Sequence, residues 1–202
     1  MQSSELSKKG DSGLKCTEKL TSEFFRILPK TDLHVHLDGS LRLETILELA
    51  KKEKIELGAS NVEELKALIG PGKTHKSLND YLKGFDITLK VLQTREGLYR
   101  AAYELCEDCA SENIEYFEVR YSPVLHTNLG LPLPAIVESV VEGLKAGQRD
   151  FKVNSGVIIC GIRNISPEVS LRMAELAVAF KNRGVVGDRK STRLNSSHSL
   201  PS

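Results

Sequence analysis

The chain predicts an α/β fold built on a parallel sheet, and three observations carry that prediction. Strand-like segments alternate with helical ones from about residue 30 onward. The segment Val157-Ile-Ile-Cys-Gly-Ile162 is almost continuously apolar, as a strand covered on both faces must be. The connections between strands are long enough to hold crossover helices. A (β/α)8 barrel and a doubly wound sheet both satisfy this order. No G-x-G-x-x-G is present, so the doubly wound nucleotide-binding version lacks its fingerprint.

The elements follow in order. Residues 1–17 form a polar leader, and EKLTSEFFRILPK reads as a short helix ending at Pro29, followed by the strand KTDLHVHL. Ser40 is placed to cap the helix LRLETILELAKKEK, whose Leu43, Ile46, Leu47 and Ala50 recur with helical spacing and predict one buried face. Ser60 and Glu63 are spaced as a capping box for NVEELKALI, which Gly70-Pro71-Gly72 stops. Helical pattern resumes at SLNDYLKGFDITLKVL, and Thr94 opens a helix to about Ala110.

NIEYFEVRYSP reads as the second strand, PAIVESVVEGLKAG as a helix and NSGVIICGIRN as the third strand. PEVSLRMAELAVAFKNR is a further helix with Ser166 at its N-cap and Pro167 at its first position. Val185-Val186-Gly187 begins a fourth strand, after which apolar periodicity stops. DRKSTRLNSSHSLPS reads as a non-native tail over 188–202, so residues 18–187 are expected to carry the fold.

Composition narrows the function. With 202 residues, 40% hydrophobic and 27% charged, the chain is of ordinary globular make-up. A net charge of +1 argues against nucleic acid as the main partner. No apolar run reaches the roughly 20 residues of a membrane span, and the polar opening lacks a signal-peptide core, so a cytoplasmic protein is expected. Four cysteines suit a reducing compartment. Cys106 and Cys109 form a C-x-x-C, but Cys109 extends the apolar face Leu98, Ala101, Ala102, Leu105, which predicts packing rather than metal or redox chemistry.

The chemistry concentrates in Thr31-Asp-Leu-His-Val-His-Leu-Asp-Gly-Ser40. Alternation along a strand puts His34 and His36 on one face and Leu33, Val35 and Leu37 on the other, with Asp38 continuing the histidine row. Two neutral imidazoles that reach one point suit zinc, although a bare H-x-H is also compatible with histidines that hydrogen-bond to backbone.

KTDLHVHLDGS resembles the first-strand motif of the adenosine deaminase family. SLNDYLKGFD is similar to that family's apolar gate and IEYFEVRYSP to its second-strand motif, and the likeness runs over about residues 25–187. The resemblance implies a (β/α)8 TIM-type barrel, of which this chain would hold the first three to four strands with their helices. It implies zinc-dependent hydrolytic deamination of adenosine and 2'-deoxyadenosine to inosine and ammonia, with one Zn2+ per complete protein and a small purine nucleoside as the partner.

By motif match, His34 and His36 would ligate the metal, His36 and Asp38 would line the nucleoside site, and Leu78, Tyr81, Leu82 and Phe85 would form the gate. Periodicity alone reads those last four as a buried helix face. The family's general-acid glutamate and its later histidine and aspartates would lie beyond Gly187, so no catalytic group is expected here and the chain is read as a truncated, inactive copy. Two other readings stand beside this one: a deaminase of N6-modified AMP, and a non-catalytic interaction fragment. Arg120 and Ser122 are expected in a buried hydrogen-bond network, and His75 and His126 to be solvated or locally bonded.

Overall fold

The computed structural model describes residues 21–70, 78–162 and 166–191, with the side chains of 78–83, 190 and 191 outside that description. The leader, His75 and residues 192–202 also lie outside it. The described elements run α1 (Ser22–Ile27), β1 (Lys30–His36), α2 (Leu43–Glu53), α3 (Val62–Ile69), α4 (Leu78–Val91), α5 (Arg95–Ser111) and β2 (Ile114–Tyr121). A 3-10 turn at Pro123–His126 leads into α6 (Leu133–Phe151), β3 (Asn154–Ile162), α7 (Pro167–Ala179) and β4 (Val185–Ser191).

The four strands are parallel and lie side by side in the order β1-β2-β3-β4. A doubly wound sheet reverses its strand order at a switch point, whereas each strand here adds to the same edge, as in a (β/α)8 barrel. That settles the choice composition left open. β4 pairs with β3 as far as Ile162 against Ser191, so it continues past Gly187.

The outward faces of β2 and β3 supply the core. Phe117, Val119, Val157 and Ile159 are fully buried in one cluster with Leu98, Ala102 and Leu105 of α5 and Ile136, Val140 and Leu144 of α6. Cys106 and Cys109 belong to the same cluster; burial pushes both thiols up to about 12, and Cys106 Sγ–H donates to the Leu144 carbonyl. They are packing residues, as the apolar spacing predicted.

Several local expectations shift by a residue or two. The N-cap of α2 is Arg42, without a side-chain cap, because Ser40 donates instead to the His36 carbonyl. The buried face of α2 is Thr45, Ile46, Leu49 and Ala50, while Leu43 and Leu47 are only partly covered. Thr45 is buried because its hydroxyl donates to Glu104 of α5, whose other oxygen accepts from Arg100. The α3 cap is Asn61, which accepts from Glu64 N–H, while Glu64 accepts from Ser60 N–H. Thr94 and Ser166 cap α5 and α7 as expected.

Candidate active site

The C-terminal ends of β1 and β2 form the mouth of the sheet, and the sequence places polar side chains there. β1 ends in a tight turn in which Gly39 N–H donates to the His36 carbonyl and Ser40 N–H to the Leu37 carbonyl. Arg42 then pins the chain by a forked contact to Asp108 and a bond to Glu107 on α5. The turn is thus fixed at both ends.

His34 and His36 project to the same side, with ring centroids 5.4 Å apart and planes 31° from parallel. Leu37 on the other face is fully buried and Val35 packs on the core, but Leu33 is 54% exposed. Desolvation first, then the charges of Arg120, His36 and Arg189, hold the His34 imidazole below its usual value. Strand register puts Arg120, paired with His36, and Arg189, paired with Cys160 two residues past Arg120's partner Ile158, on the same face of the sheet as the histidine pair.

Asp38 lies at the edge of this space, 8% exposed, with Oδ1 at 3.8 Å from His36 Nδ1. Phe85 of α4 stands edge-on to His36, centroids 6.4 Å apart at 72°. A methyl group at Gly39 would come within 3.3 Å of the Phe85 ring. The structure thus brings His34, His36, Asp38 and Phe85 together. The side chains of Leu78, Tyr81 and Leu82 lie outside the described residues, so their expected role in the gate stays an expectation.

Arg120 is buried and its Nη2–H donates to the Leu33 carbonyl at 2.6 Å, tying β2 to β1. Ser122 is equally buried, but its hydroxyl has no partner among the described residues, so the expected network is realised only at Arg120. His126 corrects the expectation of a solvated or locally bonded ring. It is fully buried, and its Nδ1 meets the Leu92 carbonyl, 34 residues away, at 2.8 Å. Gln93 holds the same loop by donating to the Leu125 carbonyl and accepting from Asn128 N–H. Neither residue signals this in the sequence, because both bond to main chain far along it.

Two imidazoles side by side on one face of the strand fit as two ligands of a zinc ion. A catalytic zinc site usually takes three protein ligands, and among the described residues no third histidine, cysteine or carboxylate joins them. The residues present fit part of a metal site.

Four parallel strands in barrel succession, with this histidine pair at their mouth, define the chain as part of a (β/α)8-type barrel. An amidohydrolase from Burkholderia ambifaria, solved with bound Zn, superposes with a TM-score of 0.74 over 90% of this chain and 50% of its own, at 23% identity. The family profile described as adenosine deaminase matches residues 29–189, and this chain belongs to the adenosine deaminase family. It is 41% identical over 162 residues to an adenosine deaminase of Clostridium botulinum, covering 80% of this chain and 48% of that protein. The N6-methyl-AMP deaminase of Arabidopsis thaliana matches with a TM-score of 0.69 at 29% identity, over 85% of this chain and 51% of its own. The chain spans about half the length of each of these proteins. Among the described residues no helix is long and apolar enough to cross a membrane.

Proposed function

We propose that this chain is part of a zinc-dependent aminohydrolase that converts adenosine and 2'-deoxyadenosine to inosine and ammonia. The observation that carries the reading is the His34–His36 pair, two imidazoles 5.4 Å apart on one side of the first strand at the sheet's C-terminal mouth. Bound there, zinc would supply a water acidic enough to act as a nucleophile near neutral pH.

The chain's own residues hold and orient. His34 and His36 would present neutral nitrogens to the metal. The Asp38 carboxylate would accept a hydrogen bond from a sugar hydroxyl of the nucleoside. Phe85 would cover the purine from the α4 side and exclude water from the histidine pair. Arg120 fixes the spacing of β1 and β2 beneath them through the Leu33 carbonyl.

The likeness to N6-methyl-AMP deaminase supports a second reading in which the substrate carries a phosphate. A side-by-side assay of adenosine and N6-methyl-AMP with the full-length protein separates the two. Turnover of adenosine alone supports the first reading, and turnover of the nucleotide alone overturns it.

A further inference from the structure

β1 reaches the mouth through an irregularity. Asp32 is in register with Phe117 and Val35 with Val119, so Leu33 and His34 together stand opposite the single residue Glu118. This is a β-bulge, with the extra residue in β1.

The bulge decides which way the histidines point. Phe117 and Val119 are buried in the core, and their partners Asp32 and Val35 lie on that same side of the sheet. Asp32 accordingly acts on the Cys109 thiol of α5, and Val35 packs on the core. Asp32 and Val35 are three positions apart, an odd number, which strict alternation does not allow on one face. Carried on from Asp32 without the bulge, alternation would put Val35 inside and turn His34 and His36 toward the helices. The extra residue restores the pair to the inner face, and it explains why Leu33 is exposed while Val35 and Leu37 are covered.

Two side chains hold the bulged residues. The Asp32 carboxylate accepts from His34 N–H at 2.9 Å, and Arg120 Nη2–H donates to the Leu33 carbonyl at 2.6 Å. One grip comes from β1 and the other from β2, each on a main-chain group of a residue without a register partner. The bond from Asp32 to His34 is to the main chain, so it acts on the direction of the strand.

We propose that Asp32 is a positioning residue for the histidine pair: with Arg120 it locks the Leu33–His34 bulge that turns His34, His36 and Asp38 to the inner face. The lock stands on this geometry. That the pair it positions holds zinc rests on the proposed function.

Zinc affinity of the full-length protein, measured by competition with a chromophoric chelator, tests this in three variants. Asp32→Ala removes the acceptor, and Asp32→Val removes it while favouring a strand, so one remains informative if the other fails to fold. Asp32→Asn keeps an oxygen that can accept from His34 N–H. The expected result is an affinity lowered roughly 10–100-fold in Asp32→Ala and Asp32→Val and within about threefold of the unaltered protein in Asp32→Asn. Undiminished affinity in Asp32→Ala or Asp32→Val, or a loss in Asp32→Asn as large as theirs, overturns the proposal. Hydrogen exchange of the His34 amide in the metal-free protein reads the lock without zinc. Slow exchange in the unaltered and Asp32→Asn proteins and fast exchange in the other two is expected, and equal exchange in all four overturns the lock. An unaltered protein that binds no zinc overturns the proposed function, and the amide exchange then judges the lock alone.

Discussion

The rings of His36 and Phe85 meet edge to face across 6.4 Å, so a strand-end imidazole and a residue of α4, which follows α2 and α3 in the chain, come together at one mouth. The small residue between them is Gly39, where an added Cβ would press on Phe85 at 3.3 Å. Gly39→Ala is therefore predicted to displace Phe85 from His36. In the full-length protein this raises KM for adenosine several-fold more than it lowers kcat, because the loss falls on binding. Steady-state kinetics check it, and an unchanged KM would speak against Phe85 as a cover.

The α5–α6 contact depends on glycines. A Cβ at Gly143 would run into the Tyr99 carbonyl, and one at Gly147 into the Cys106 side chain. Close helix packing cannot yield to a backbone clash, so Gly143→Ala is predicted to destabilise by about 1–3 kcal/mol despite alanine's better helix propensity. Urea unfolding of the isolated chain measures this.

Burial holds the Cys106 and Cys109 thiols at about 12, so neither is a thiolate at pH 8. Both are predicted to resist a thiol reagent in the native chain and to react within the dead time in denaturant. Rapid reaction of the folded chain contradicts that placement.

Burial also lowers the affinity of His126 for a proton below its usual value of 6.5. The unfolded chain then binds the proton more readily than the folded one. Stability contributed this way is complete above pH 6.5 and falls as the pH drops below it. Replacing the ring with glutamine removes this sensitivity, so His126→Gln is predicted to flatten the loss of stability between pH 6.5 and 5. Melting temperatures across that range provide the comparison.

Much of this was legible in the sequence, and the reasons are local. The pairing of His34 with His36 follows from strand alternation, and the covered sheet from VIICGI. The caps at Thr94 and Ser166 follow from short-range chemistry. The caps at residues 40 and 60 were misplaced where a competing acceptor, the His36 carbonyl, or a neighbouring asparagine did better. His126 was invisible because its partner is the main-chain oxygen of Leu92, and no pattern of side chains records a carbonyl.

The measurement that bears most directly on the account is zinc content and ammonia release from adenosine for the full-length protein, beside its His34→Ala and His36→Ala variants. The account predicts about one zinc per unaltered molecule, with metal and activity lost together in both variants. Full metal content and undiminished turnover in either variant would contradict it.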